Sequence, residues 1–178
     1  MTESGAIAAT RLWLERAVIG LNLCPFAKAV HVRGQIRWVL SDATTPEALL
    51  ETLGEELLWL RDTRADDVDT TLLIHPQVLT DFLEYNDFLE TADALVESLG
   101  LDGVLQVASF HPDYQFAGSA PDDVENFTNR SPYPTLHLLR EDSVSRAVEA
   151  FPDPDVIVER NVETLRSLGA ERWRRLLD

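Results

Sequence analysis

Apolar residues recur at helical spacing through Ile7, Leu14, Ala17, Val18 and Leu21, which predicts an amphipathic helix over about residues 4–21 with Leu14 on its buried face. The turn Asn22-Leu23-Cys24-Pro25 stops it. Residues 36–40 read as a strand, and Thr45-Pro46-Glu47 opens the next helix, with Thr45 as N-cap and Pro46 at the first helical position, where the missing N–H would have had no partner. That helix is expected to run to about residue 62. The β-branched, apolar run at 70–74 is a second strand ended by His75-Pro76, and a helix over about 79–99 follows, terminated by Gly100. A third strand spans 104–110.

This β-α-β-α-β order predicts parallel neighbours joined by right-handed crossovers. Strands this apolar call for cover on both faces, so the expected class is an α/β layered fold with a small, largely parallel sheet of about four strands covered by helices. After Phe110 the pattern changes. Residues 111–134 hold four prolines and many polar side chains, and Tyr114, Phe116, Phe127 and Tyr133 argue for an ordered loop with one short helix near 121–127. A fourth strand at 135–139, a helix at 142–151 and one or two helices over 155–177 complete the expectation. No internal repeat and no linker interrupts the 178 residues, which suit one domain with one core.

A hydrophobic fraction of 45% with 7 Phe, 4 Trp and 3 Tyr describes a chain able to offset its ordering entropy by burial. The formal charge of −16 repels phosphate backbones and anionic bilayers, so nucleic-acid and membrane-surface partners are not expected. The densest basic group, Arg166, Arg172, Arg174 and Arg175, reads as the positive end of a helix opposing its dipole. A single cysteine excludes an intramolecular disulfide and any multi-cysteine metal site, and points to a reducing compartment. Residues 1–10 lack a basic start and a long apolar run, and no stretch approaches a membrane span, so the expected location is the cytoplasm.

Candidate chemistry gathers at strand ends. His75 and His111 each follow an apolar strand and precede a proline, which would set both imidazoles at the carboxyl edge of a parallel sheet, where such sheets generally bind ligands. His137, on the fourth strand, approaches the same edge if that strand runs antiparallel. Arg130 offers a planar fork for a carboxylate or phosphate, with Asn129 and Ser131 beside it, against the alternative of a salt bridge pinning the loop. Asp122-Asp123 reads as the charged first turn of a short helix rather than a metal pair. For Cys24 two readings stand: if Pro25 opens a helix through Val30, Cys24 is its N-cap with a stabilised thiolate, and otherwise it is a small core hydrophobe between Leu23 and Phe26. Asn22, Lys28, His31 and Arg33 surround it with polar groups but no recognised spacing.

Neither His-x-x-x-His nor Cys-x-x-Cys occurs, so a metal held by His75, His111 and His137 rests on a weak signal. Dinucleotide, P-loop and nucleophile-elbow fingerprints are missing too, which disfavours those three readings and leaves any cofactor unknown.

Three longer segments go beyond general chemistry. Asn22-Leu23-Cys24-Pro25-Phe26-Ala27-Lys28, Phe110-His111-Pro112-Asp113-Tyr114-Gln115-Phe116 and the stretch from Asn129-Arg130-Ser131-Pro132-Tyr133-Pro134 through Arg140 resemble the signatures of a bacterial family known as domain of unknown function 1415. The resemblance runs from the Trp13-Leu14-Glu15 helix to the C-terminal helices. It implies a stand-alone bacterial cytoplasmic domain and brings no activity, cofactor or catalytic residue with it.

The leading functional expectation is a small-molecule enzyme acting on an anionic substrate in a pocket at the carboxyl edge of the sheet. Arg130, Asn129, Asn22, Ser131 and His75 would bind the substrate, while His111, Cys24 and His137 would carry the chemistry. The alternative is a non-catalytic ligand- or protein-binding module, and the third is a metal-dependent enzyme with histidine ligands. Oligomeric state is left open.

Overall fold

The computed structural model describes residues 4–151 and 153–178; residues 1–3, part of the stretch read for a leader, lie outside the described residues. Helix α1, Gly5–Trp13, is capped by the Ser4 hydroxyl, which accepts the Ile7 N–H at 3.3 Å. It continues as a π-helical turn over Leu14–Ile19. The wider turn explains Gly20, where an added Cβ would overlap the Arg16 carbonyl oxygen. Then follow α2 (Ala27–Val32), β1 (Ile36–Leu40), α3 (Pro46–Asp62), β2 (Thr70–Ile74), α4 (Phe82–Ser98) and β3 (Leu105–Phe110). A 3-10 turn at Val124–Asn129 leads to β4 (Thr135–Arg140), α5 (Glu141–Ala150) and α6 (Pro154–Leu176).

Capping chemistry sets several of these bounds. Thr45 accepts the Ala48 N–H and Pro46 opens α3 as expected. α4 starts three residues later than its apolar pattern suggests, because Leu79 has φ 57 and Asp81 caps the helix through the Glu84 N–H. Gly169, at φ 78, breaks the regular course of α6. Among the described residues no helix is long and apolar enough to cross a membrane.

The strand order is β1-β2-β4-β3. β1 and β2 pair in parallel, whereas β4 is antiparallel to both β2 and β3. The expectation of a largely parallel sheet is therefore corrected to a mixed one. The cause lies in the connection: a parallel neighbour needs a crossover back along a sheet face, usually a helix. The segment after β3 instead stays at the carboxyl edge, so β4 starts there and runs back between β2 and β3.

The two faces of the sheet are covered differently. One packs Leu73, Leu105, Leu136 and Leu138 against Leu49, Leu53, Leu57 and Leu60 of α3 and Tyr85, Phe88, Ala92 and Val96 of α4. The other lies under Trp13, Leu14, Ala17 and Val18, which join Phe127, Leu165 and Trp173 in a second core. Trp13 meets Phe110 edge to face at 5.0 Å. α5 covers this second face without burying any residue. Cross-strand register sets His137 opposite both Leu72 and Ala108, in the middle of the sheet and away from its edge.

Candidate functional site

The carboxyl edge holds a closed aromatic cluster. His75 and His111 are both fully buried, with Tyr85 beside them at ring separations of 5.8 and 4.9 Å. The Tyr85 hydroxyl donates to the Thr135 carbonyl at 2.7 Å and accepts the Phe110 N–H at 3.1 Å, tying β4 to β3. His111 Nδ1 accepts the Asp113 N–H, so Nε2 carries the proton and donates to the Leu79 carbonyl at 3.1 Å. His75 Nδ1 likewise donates to the Val78 carbonyl at 2.9 Å, while its Nε2 has no partner among the described residues. Burial lowers the His75 pKa to about 4 and pushes that of His111 down as well, so both rings are neutral at pH 7. The pair fastens the turn that contains Leu79 in its left-handed conformation. Both nitrogens of His111 are engaged in this task.

The loop beyond β3 is fastened with equal care. Arg130 Nε donates to the Tyr114 carbonyl at 3.0 Å, one terminal nitrogen donates to the Pro121 carbonyl at 2.7 Å, and the guanidinium stands 5.2 Å from the Phe127 ring. Its fork is thus directed at backbone. Asn129 Nδ2 donates to the Ser109 carbonyl, and Ser131 to the Tyr133 carbonyl. Asn126, fully buried, accepts from the Phe116 N–H and the Ser119 hydroxyl and donates to the Ala120 carbonyl. Asn22 is exposed at φ 53, a conformation that Asn tolerates well.

Two of the candidate residues share a cavity elsewhere. A space of about 380 Å³ lies over the second face of the sheet, lined by Ile36, Thr70, Leu72, Phe110, His137 and Leu139 from the strands. Trp13, Leu14 and Val18 close it from α1 and its π turn, Ala27 and Val30 from α2, and Val144, Ala147 and Val148 from α5. Cys24 opens onto it as well, and also onto an adjoining pocket lined by Asn129 and Asn161. The helix after Cys24 starts at Ala27 with Phe26 as its cap, so the N-cap condition set for the thiol is not met. The cavity thus lies on the face of the sheet, while His75 and His111 belong to the packed edge.

Polar groups in the cavity are few. His137 is half-buried and has no side-chain hydrogen bond among the described residues; its ring lies 5.6 Å from that of Phe110. Burial lowers its pKa to about 4 against the opposing pull of the Asp69 carboxylate. The ring lines the cavity, and burial against its apolar wall favours the neutral form. Asp69 also lines the cavity and accepts the Ser143 hydroxyl at 2.6 Å; the Thr70 hydroxyl donates to the Leu138 carbonyl.

Sequence reasoning missed Asp69, Ser143 and Tyr85. Asp69 directly precedes a strand and Tyr85 sits on the apolar face of a helix, positions with bland explanations of their own. The Asp69–Ser143 contact spans 74 residues and left no local trace. Among the described residues no three His, Cys, Asp or Glu side chains are grouped so as to hold a metal ion.

The family model described as "Protein of unknown function (DUF1415)" matches residues 5–175. No curated protein and no solved structure matches the chain.

Proposed function

The chain belongs to this family of unknown function, and from its geometry we propose that it binds a small, largely apolar molecule in the cavity over the sheet, with His137 as the polar anchor. The observation that carries this reading is His137 itself. A strand position facing covering helices is ordinarily apolar, yet here an imidazole without a hydrogen-bond partner among the described residues opens into an apolar space. The size of that space falls in the range of small-molecule sites, which combine apolar walls with a few placed polar groups. A ligand that hydrogen-bonds to this half-buried imidazole gains a net contribution of about 0.5–1.5 kcal/mol. An anionic substrate gripped by Arg130 finds less support, because that guanidinium is directed at two carbonyls.

Nile red, a neutral apolar fluorophore, tests the reading. Saturable one-to-one binding with a blue-shifted emission is expected, weakened at least tenfold by Ala147→Phe, which fills the cavity from α5 without displacing a core residue. Absence of saturable binding, or equal affinity in the variant, would overturn it.

A second, catalytic reading rests on Cys24 and His137 lining the same cavity. The imidazole, a weak base at a pKa of about 4, would take the thiol proton in step with attack of the sulfur on an electrophilic carbon and not beforehand. Alkylation of Cys24 by iodoacetamide should then slow markedly in His137→Phe. Equal rates would remove the imidazole from the chemistry.

A further inference from the structure

The polar end of the cavity has a definite sign and a definite hydrogen-bonding demand. Its lining contains no Arg and no Lys among the described residues. The Asp69 carboxylate is held by the Ser143 hydroxyl through Oδ1, and Oδ2 has no hydrogen-bond partner among the described residues. The proton of Ser143 is directed at Asp69 and that of Thr70 at the Leu138 carbonyl, so neither hydroxyl is a free donor. His137 supplies one N–H and one lone pair, both unused. The Trp13 indole N–H also lacks a partner but is itself buried, so among the groups exposed to the cavity acceptors outnumber donors where a ligand's polar group would sit.

Two guanidinium groups stand nearby without lining the cavity. Arg146 donates to the Ser143 oxygen at 3.3 Å from the exposed side of α5. Arg140 feels Asp69 from the opposite face of the sheet, where it donates to the Val68 and Thr63 carbonyls.

We infer that the cavity selects an apolar molecule with a neutral or cationic hydrogen-bond-donating head group, an alcohol, phenol or amine, seated between Asp69 and His137, and that it discriminates against carboxylates and phosphates. This rests on the small-molecule reading above and specifies its ligand class. A hydroxyl fits the demand directly: it donates to Asp69 Oδ2 and accepts from the His137 N–H. An ammonium donates to Asp69 Oδ2 and to the His137 lone pair. A carboxylate would meet the charge of the half-buried Asp69 beside an apolar wall, where like charges repel more than in open water.

Three probes with a common naphthalene body separate these cases at pH 7.5 and 0.15 M salt: 2-naphthylmethylamine, 2-naphthalenemethanol and 2-naphthylacetate. Calorimetric titration should rank the amine tightest, the alcohol next and the carboxylate at least tenfold weaker than the alcohol. Asp69→Asn should bring the amine down to the alcohol and raise the carboxylate. Because this change alters the overall charge of −16 by only one unit, a reversal reports on the site and not on the global field. Ser143→Lys, at the half-exposed start of α5, provides an independent variant and should favour the carboxylate. Equal binding of all three probes, or an order unchanged in both variants, overturns the head-group assignment while leaving the cavity reading standing. If no probe and no Nile red binds, the cavity reading fails and this inference with it.

Discussion

The two faces of the sheet are made by the same four strands and serve different ends. Toward α3 and α4 the strands meet two seventeen-residue helices, and Leu49, Leu53, Leu57 and Leu60 are all 0% exposed. Toward α5 they meet a ten-residue helix that buries nothing, and Val144, Ala147 and Val148 border a space instead of filling one. A face covered by long helices with regular leucines closes completely. A face covered partly by a short amphipathic helix keeps a gap, and His137 and Asp69 border that gap.

The sharpest way to break this contrast is truncation on each side. Leu57→Ala should cost about 2–5 kcal/mol of stability, since the loss includes both transfer and a new cavity in packed surroundings. Leu139→Ala, which enlarges a space that already exists, should cost less than about 1.5 kcal/mol, because little new cavity is created. Urea denaturation of both variants measures the difference. Equal losses would mean that the second face is as tightly packed as the first.

The histidines repeat the contrast on a smaller scale. His111 is woven into backbone through both ring nitrogens, whereas His137 has no hydrogen-bond partner among the described residues. His111→Ala should therefore cost about 2–3 kcal/mol by stranding the Leu79 carbonyl and the Asp113 N–H, while His137→Phe should be close to neutral at pH 7. A His111→Ala variant as stable as the parent would contradict its role as a clamp. A costly His137→Phe would mean that the imidazole is held by contacts of its own.

Much of the fold was legible because hydrophobic period and caps act locally. The four strands, the Thr45-Pro46 start of α3 and the 3-10 turn could be read from residue order. The position of β4 could not, since nothing local distinguishes an edge strand from one that enters between β2 and β3. The same limit applied to the site. Cys24 and His137 were recognisable as unusual residues, but that they border one cavity depends on α1, α2 and α5 meeting over the sheet. His75 and His111 were singled out for adjoining strand ends, and their burial with Tyr85 depends on a helix contact that no spacing rule encodes. Arg130 offers two alternatives in the sequence, a ligand fork or a salt bridge pinning the loop, and its bonds go instead to the Tyr114 and Pro121 carbonyls, partners that no spacing indicates.

The pH dependence of stability bears most directly on the cavity. His75 and His137 have folded-state pKa values of about 4, below the value near 6.5 of an unfolded chain. As pH falls through this interval the unfolded chain takes up these protons first. The stability contributed by the two neutral rings is therefore complete above about pH 6.5 and is lost progressively toward pH 4. Each ring adds roughly 1.4 kcal/mol per pH unit to the slope of stability in that window. Removing one titrating group with His137→Phe should lower the slope by about that amount, and Nile red bound to the parent should extend the window below about pH 4, since a ligand that dries the cavity disfavours the charged ring further. An unchanged slope in the variant would mean that His137 takes its proton without penalty. The cavity would then be well hydrated at its polar end, and the anchoring role proposed for the imidazole would lose its energetic basis.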